Sequence, residues 1–121
     1  MGAPYRNGGT TPDGFDCSGF VQYVVKVGTG VALPRNVGGQ FGATSDVDRD
    51  DARPGDLVFF AIDGDHVSHV AVIVDTDTFV HAPSSRGSAR VRLDHLSSVY
   101  WKKYVAGIRR VPLRTATSPA E

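Results

Sequence analysis

Apolar positions near the N-terminal end of the chain recur with the spacing of a helix. From Phe20 to Val27 they return every three or four residues, which predicts a helix over residues 17–27. Gly28 and Gly30 follow this pattern and suit the C-terminal end of such a helix. Three residues with side-chain acceptors precede it and are candidate N-terminal caps: Thr11, Asp13 and Asp16.

The second half of the chain alternates short apolar segments with turn residues, as the strands of an antiparallel sheet do. Strands are predicted at residues 57–61, 69–74, 78–82, 90–93 and 104–111. The segment 69–74 is the most apolar, which indicates a central strand covered on both faces. One helix followed by about five strands predicts an α+β domain, with the helix packed on an antiparallel sheet.

The polar segments between these elements carry weaker signals. Asn36 is a candidate cap for a short helix that ends near residue 41, although Gly38 and Gly39 weaken this helix. Residues 42–54 read as irregular, and Asp94 is a candidate cap for a helical turn that ends near residue 99. On this reading no strand precedes residue 57.

Length and composition indicate one globular domain. The chain has 121 residues, of which 40% are hydrophobic, and a formal net charge of zero. We expect residues 1–112 to form the domain and residues 113–121 to form a flexible tail. Zero net charge gives no indication of nucleic acid binding, and no apolar run approaches the roughly 18 residues of a membrane span. No signal peptide is visible at Met1, which leaves an exported precursor open.

Cys17 is the single cysteine of the chain and lies at the predicted start of the helix. It cannot form an intrachain disulfide. Unpaired N–H groups and the positive end of the helix dipole favour a thiolate at this place, and the thiolate is the nucleophilic form of cysteine. A free cysteine is also a common buried apolar residue, so its position alone leaves both interpretations open.

A cysteine nucleophile needs a base that is itself oriented, and His69 and His81 lie on consecutive predicted strands. Their side chains share a face only if the connecting loop has an odd number of residues. We predict a three-residue loop at 75–77, a common hairpin length, with Ala71 opposite His81. The two Cα atoms would then be roughly 8 Å apart. Both rings would lie on the face covered by the helix, with His69 between Cys17 and His81.

Three further side chains are better explained by structural or surface positions than by metal binding, catalysis or sugar binding. His66 and His69 are spaced as in some zinc sites, but residues three apart on a strand face opposite ways, so we predict no metal. His95 follows Asp94 in a polar stretch and reads as a surface residue. Trp101 could stack on a sugar, but packing against the last strand explains it better.

Motifs along nearly the whole chain resemble, in their order, those of the NlpC/P60 family of cell-wall cysteine peptidases. They are Pro4-Tyr5, Gly8-Gly9, Gly14-Phe15-Asp16-Cys17-Ser18-Gly19-Phe20-Val21, Leu33-Pro34-Arg35, Pro54-Gly55-Asp56-Leu57-Val58-Phe59-Phe60, Ser68-His69-Val70-Ala71-Val72, Phe79-Val80-His81-Ala82 and Gly107-Ile108-Arg109-Arg110-Val111. The Asp-Cys-Ser-Gly tetrad alone is a weak signal, whereas the ordered set is highly specific. Departures at Arg6-Asn7 and Asn36-Val37 leave the preferred stem peptide open.

The resemblance implies a papain-like α+β fold and the hydrolysis of peptidoglycan stem peptides. The typical bond lies between D-γ-glutamyl and a diamino acid, meso-diaminopimelate or L-lysine. The resemblance implies that Cys17 is the nucleophile, His69 the base and His81 the orienting residue. It also implies a substrate-binding set: Tyr5, Asp16, Ser18 and Arg35. The expected mechanism pairs a Cys17 thiolate with a His69 imidazolium and passes through a thioester.

From this resemblance we expect a monomer that acts on peptidoglycan stem peptides in the periplasm, the cell wall or the extracellular space. We expect no cofactor, no metal, no nucleic acid partner and no membrane span. Two alternatives stay open: a related cysteine amidase or acyltransferase with the same three residues, and a wall-binding module without turnover. The sequence does not distinguish wall remodelling from delivery as a toxin.

Overall fold

The computed structural model of the protein describes residues 10–11, 14–62, 66–82 and 91–112. Tyr5 and the expected tail at 113–121 lie outside the described residues. Within the described part of the chain, no helix is long and apolar enough to cross a membrane.

The chain enters its main helix through a short hairpin and a capping aspartate. The first elements are β1 (Thr10–Thr11), β2 (Gly14–Phe15) and α1 (Cys17–Thr29). Asp16 Oδ1 accepts a hydrogen bond from the Gly19 backbone N–H at 2.7 Å, which satisfies a donor that the first helical turn leaves unpaired. Gly30, in the left-handed region at φ 81°, ends the helix. The predicted helix is confirmed, and Asp16 is its cap.

Two short elements and a 3₁₀ turn follow: α2 (Val37–Gly42), β3 (Ser45–Val47) and Arg49–Asp51. Asn36 Oδ1 accepts a hydrogen bond from the Gly39 N–H at 2.7 Å, so the predicted cap of the short helix is confirmed. The expectation that residues 42–54 are irregular is wrong where β3 forms. The first two residues of β3 are polar and exposed, so this strand carries no apolar alternation.

The remaining elements are β4 (Leu57–Phe60), β5 (His69–Ile73), β6 (Thr78–His81), β7 (Arg92–His95), α3 (Val99–Lys102) and β8 (Val105–Arg110). The five predicted strands are confirmed, with bounds that differ by one or two residues. The helical turn expected after Asp94 is wrong. Asp94 lies inside β7, opposite Phe79, because pairing with β6 draws these residues into the sheet. The helix begins only at Val99.

The large sheet has six strands in the order β3–β8–β4–β5–β6–β7, and every neighbouring pair is antiparallel. All five residues of β5 are buried, as predicted for a central strand. The additional strand is β3, which pairs along β8 with Asp46 opposite Arg109. The fold is therefore the expected α+β arrangement, with one strand more in the large sheet than the sequence indicated. The short hairpin of β1 and β2 also lies in a segment that was expected to contain no strand.

Side-chain alternation divides the core between the two faces of the sheet. On one face α1 contributes Val21, which is buried with Phe59 and Val70. On the other face α3 contributes Trp101, whose ring centroid lies 5.0 Å from that of Phe60. Each large apolar side chain buried in this way contributes about 1.5–3 kcal/mol relative to exposure. The central strands are thus held by apolar contacts on both sides.

The hairpin between β5 and β6 has the predicted odd loop. Val72 lies opposite Val80, and the same register places Val74 opposite Thr78, where the Val74 N–H donates to the Thr78 carbonyl oxygen at 2.9 Å. Residues 75–77 are therefore the loop. The same register places His81 opposite Ala71, as predicted. His69 is two residues from Ala71, so both histidines share a face.

The face that carries the histidines differs from the expected one. The ring of His69 lies 5.8 Å from that of Phe60 and 5.6 Å from that of Trp101, on the α3 side of the sheet. Val70, the next residue, packs with α1 on the opposite side. The prediction that α1 covers the histidines is therefore wrong. The apolar contact of α1 with the sheet uses positions that alternate with the histidines along β5.

Candidate active site

The thiol of Cys17 lies where α1 begins, beside the start of β5. The backbone N–H of Val70 approaches the sulfur and lowers the pKa of the thiol, as do the N–H groups of Ser18 and of Cys17 itself. Because β5 begins at His69, the contact with Val70 brings the thiol to the His69–Val70 peptide. The thiol and His69 therefore lie at the same end of β5, although α1 and the His69 ring belong to opposite sides of the sheet. The Cys17 side chain is half-buried.

His69 and His81 are hydrogen-bonded to each other inside the protein. His69 Nε2 and His81 Nδ1 are 2.7 Å apart, and both residues are buried. Trp101 stacks on His69 with ring centroids 5.6 Å apart and planes at 24°. Phe79 meets His81 edge-on, with centroids 4.8 Å apart. Packing and hydrogen bonding thus hold each ring in one orientation. Trp101 has a packing role, as predicted, but its aromatic ring contacts with the sheet lie on β4, β5 and β6 rather than on the last strand.

Burial keeps both histidines neutral at neutral pH. It lowers the pKa of His69 from 6.5 to about 3, with a further contribution from the adjacent His81. Burial also lowers the pKa of His81 to about 4, against the opposing attraction of the Asp94 carboxylate. A neutral imidazole has one bare nitrogen that can accept a proton, as a general base must.

Burial likewise raises the pKa of the Cys17 thiol above its ordinary value of 9.0, and the nearby Asp16 charge adds to this effect. The backbone N–H groups of Val70, Ser18 and Cys17 lower the pKa but do not outweigh desolvation. These directions favour a neutral thiol beside neutral imidazoles in the free site. They do not support the thiolate–imidazolium pair expected there, because loss of hydration opposes the effect of the helix N-terminus.

Asp94 contacts His81 on the side away from His69. His81 Nε2 and Asp94 Oδ2 are 2.7 Å apart, and Arg92 Nε donates to the same oxygen at 2.9 Å. This contact is not predicted from the sequence, because the predicted strand ends at Leu93. The alternation of polar and apolar residues from Arg92 continues through Asp94, and that signal could have placed both on the face of His81.

Three of the four predicted substrate-binding residues meet beside the start of α1. Arg35 Nη2 donates to Asp16 Oδ2 at 2.9 Å, and Arg35 Nη1 donates to Ser18 Oγ at 2.9 Å. The Asp16 and Arg35 side chains are 17% and 40% exposed, so the cluster reaches solvent. Asp16 and Ser18 flank Cys17 in the chain. The polar cluster formed by Asp16, Ser18 and Arg35 thus lies next to the thiol.

The segment that carries Arg35 is held against α1 by α2. Gln40 is buried, and its Nε2 donates to the backbone oxygens of Ser18 and Pro34, both at 2.9 Å. A Cβ on Gly39 would lie 2.8 Å from the Cβ of Pro34, so this close approach requires glycine. Sequence reasoning missed Gln40, because a glutamine in a short helix with two glycines reads as exposed.

The other candidate residues lie away from this arrangement. His66 is exposed and precedes β5. His95 is 64% exposed, with Nδ1 3.6 Å from Asp77 Oδ2, so the prediction of a surface residue is confirmed. Tyr5 is outside the described residues, and its role stays a prediction.

Lowering the pH from 7 to 5 is expected to reduce the free energy of unfolding by roughly 2 kcal/mol for each of His69 and His81. Both bind a proton near pH 6.5 in the unfolded chain but stay neutral to about 3 and about 4 in the folded protein. The unfolded state therefore binds more protons in this window, so stability present above the unfolded pKa is lost as the pH falls. Urea unfolding at several pH values measures this slope.

Two histidine variants provide the comparison. His95→Gln removes an exposed histidine and is expected to leave the pH slope unchanged. His69→Gln removes a buried histidine and is expected to reduce the slope by about half. An unchanged slope in His69→Gln would contradict the assignment of the pH dependence to the buried pair.

A family model described as NlpC/P60 matches residues 2–110 of the chain. The chain belongs to the NlpC/P60 family. The resemblance read from the motifs is thereby confirmed, and the match includes the segments that carry Cys17, His69 and His81.

Among curated proteins, similar NlpC/P60 members are named as endopeptidases and hydrolases. The probable endopeptidase NlpC of Escherichia coli is 40% identical over 111 residues, which cover 91% of this chain and 70% of that protein. The gamma-DL-glutamyl hydrolase of Bacillus subtilis is 38% identical over 91% of this chain and 26% of its own length. The E. coli murein DD-endopeptidase MepS/murein LD-carboxypeptidase is 40% identical over 94% of this chain and 58% of its own length. The chain thus spans well under two thirds of some relatives.

Solved structures of NlpC/P60 proteins share the fold. An NlpC/P60 protein from Bacillus cereus superposes with a TM-score of 0.83 at 36% identity, over 93% of this chain and 37% of that one. The NlpC/P60 domain of the peptidoglycan hydrolase SagA superposes with a TM-score of 0.74 at 31% identity, over 93% of this chain and 89% of that one. The helix and the antiparallel sheet are therefore those of the family.

Proposed function

We propose that this NlpC/P60 domain is a cysteine endopeptidase that hydrolyses peptidoglycan stem peptides at the bond between D-γ-glutamyl and a diamino acid. The observation that carries the proposal is the 2.7 Å contact between His69 and His81, at the end of β5 where the Val70 N–H lies beside the Cys17 sulfur and lowers the pKa of the thiol. This arrangement has a nucleophile, a neutral base and a group that orients the base. We assign these three roles to Cys17, His69 and His81.

In the proposed first step the thiol proton passes to His69 while the sulfur attacks the carbonyl carbon of the scissile amide. His69 Nε2 is engaged by His81, so Nδ1 is the ring nitrogen that accepts the proton. The Cys17 N–H is the first of α1, where backbone donors have no partner within the helix, and it can donate to the developing oxyanion. One such donor is worth about 3 kcal/mol in a comparable acyl-transfer site.

The second half of the reaction releases both products and restores the site. The tetrahedral intermediate collapses, the carbon–nitrogen bond breaks and His69 gives its proton to the leaving amine. Water then attacks the Cys17 thioester and passes a proton to His69, the carbon–sulfur bond breaks, and the thiol regains its proton. The products are a fragment that ends in D-glutamate and a fragment that begins with the diamino acid.

The polar cluster of Asp16, Ser18 and Arg35 is proposed to bind the polar groups of the stem peptide. Two of its members, Asp16 and Ser18, flank Cys17 in the chain, and the cluster presents both signs of charge to solvent. Arg35 is partly exposed, so guanidinium donors not used by Asp16 and Ser18 are available to a ligand acceptor. Tyr5 is proposed to join them on the basis of the motif alone.

The names of the relatives are relevant to two questions: which peptidoglycan bond is cleaved and in which compartment the protein acts. The B. subtilis relative is named a gamma-DL-glutamyl hydrolase, which supports the proposed bond. The E. coli MepS relative is named a DD-endopeptidase and LD-carboxypeptidase, which makes those bonds the second candidate. Peptidoglycan lies outside the cytoplasmic membrane, so we propose that the protein acts in the periplasm or the cell wall.

Mass spectrometry of defined peptidoglycan fragments tests this function. The fragments are incubated with the protein and with a sample alkylated by iodoacetamide at Cys17, the single cysteine of the chain. New fragments ending in D-glutamate, formed only by the untreated protein, are the expected result. Cleavage at a D,D or L,D bond would replace the proposed bond with the second candidate. Intact fragments from a protein with a reactive Cys17 would favour another acyl substrate.

A further inference from the structure

We propose that Asp94 is a positioning residue that sets the proton positions on His81 and, through it, on His69. The inference rests on the proposed role of His69 as a base. Three hydrogen bonds carry it: His69 Nε2 to His81 Nδ1 at 2.7 Å, His81 Nε2 to Asp94 Oδ2 at 2.7 Å, and Arg92 Nε to that same oxygen at 2.9 Å. These bonds form one continuous chain that ends on a carboxylate.

Strand register brings the carboxylate to His81. Arg92 lies opposite His81 on β7, so Asp94 is on the same face two residues along the strand. A diagonal pair of this kind is within reach of long or aromatic side chains. The Asp94 side chain is 25% exposed while His81 is fully buried, so the carboxylate lies between the histidine and solvent.

The acceptor at the end of this row of hydrogen bonds determines which ring nitrogen of each histidine carries a hydrogen. An ionised carboxylate can only accept, so His81 Nε2 must carry the hydrogen of its bond to Asp94. A neutral His81 then has a bare Nδ1, and the bond at that atom requires the hydrogen to be on His69 Nε2. A neutral His69 is left with a bare Nδ1. Asp94 thus selects the form of His69 that can accept the thiol proton.

The same row of hydrogen bonds stabilises the positive charge that develops on His69 during the reaction. When His69 accepts the thiol proton it becomes an imidazolium, whose Nε2–H still donates to His81. The fixed dipole of His81 then points its negative side toward His69, and the Asp94 charge reinforces this orientation. Without the carboxylate, His81 could carry its hydrogen on Nδ1 instead. His69 would then have its bare nitrogen facing His81 and its N–H on Nδ1.

The test compares Asp94→Asn with a matched control, Asp77→Asn. Asp77 also uses its carboxylate to hold a neighbouring segment, through the Ser97 N–H at 2.9 Å and Oγ at 2.8 Å. The first measurement is the ¹⁵N NMR spectrum of the histidine ring nitrogens, which reports the position of each hydrogen and needs no substrate. The second is kcat and KM on a defined stem peptide.

In the unsubstituted protein we expect the hydrogen on Nε2 in both His69 and His81. In Asp94→Asn we expect a mixture of ring forms and a fall in kcat of roughly 10- to 100-fold, the size of loss when a partner that orients a histidine is removed. KM is expected to change by less than about threefold, because the contact acts on the reacting groups. Asp77→Asn is expected to leave the ring forms of His69 and His81 unchanged, and the His95 signals are left out of the comparison because His95 Nδ1 lies 3.6 Å from Asp77 Oδ2.

Two results would overturn the proposal. One is a hydrogen on His81 Nδ1 in the unsubstituted protein, a measurement that does not depend on how any variant folds. The other is an Asp94→Asn protein with unchanged ring forms, whatever its kcat. If the unsubstituted protein cleaves no peptidoglycan fragment, the proposed function fails, but the ring-nitrogen comparison still decides the role of Asp94.

Discussion

Replacing Cys17 with alanine is expected to lower stem-peptide turnover by roughly 10⁴-fold or more, because the covalent route through a thioester is lost. The side chain is half-buried and makes no disulfide, so the fold should be largely retained. The expected protein is folded and inert. Turnover of fragments ending in D-glutamate, followed by mass spectrometry, measures the loss, and urea unfolding measures stability.

Val27→Ala provides the control in the same helix. Val27 is 69% exposed on α1, so its truncation changes the helix surface without touching the thiol, and turnover should match that of the unsubstituted protein. If Cys17→Ala keeps turnover within about tenfold of the original rate, the covalent mechanism is wrong. If the variant loses stability as well as turnover, alkylation of Cys17 in the folded, unsubstituted protein separates the catalytic role of the thiol from a structural role.

Replacing His69 with glutamine is expected to lower kcat by roughly 10³- to 10⁴-fold with little change in KM. His69 takes the thiol proton and returns it to the leaving amine, so one substitution removes both transfers. Glutamine still offers a polar group toward His81, which limits the loss of the buried hydrogen bond. Steady-state kinetics on a defined stem peptide measures the effect.

His95→Gln is the matched comparison, because His95 is on β7 but its ring is largely exposed. We expect its kinetic constants to equal those of the unsubstituted protein. The rate of Cys17 alkylation at neutral pH should also fall in His69→Gln, since the bare nitrogen no longer assists ionisation of the thiol. Equal kcat values for the two variants would rule out His69 as the base.

Features that depend on neighbours in the chain could be predicted from the sequence. The helix begins at Cys17, and Asp16 caps it through Gly19, a contact that spans three residues. The odd loop at 75–77 determines which residues pair across the hairpin, and therefore that His69 and His81 share a face. These outcomes follow from side-chain periodicity and loop length, which need no knowledge of the rest of the fold.

Contacts between distant segments could not be predicted in this way. Arg35 reaches Asp16 and Ser18 across 19 and 17 residues, and Gln40 joins two segments through buried hydrogen bonds. The strand β3 is polar, and only its pairing with β8 places it in the sheet. Such contacts depend on packing of the whole chain, and local pattern carries little information about them.

The sequence by itself determined the family motifs, the cysteine at a helix start and the shared face of the two histidines. The tertiary structure decided which face of the sheet carries the histidines and how burial shifts the pKa values of the cysteine and the histidines. It also decided that Asp94 is hydrogen-bonded to His81. The physical reason is the same in each case. Periodicity determines the relation between neighbouring residues, whereas desolvation and long-range hydrogen bonds arise only when separate elements pack together.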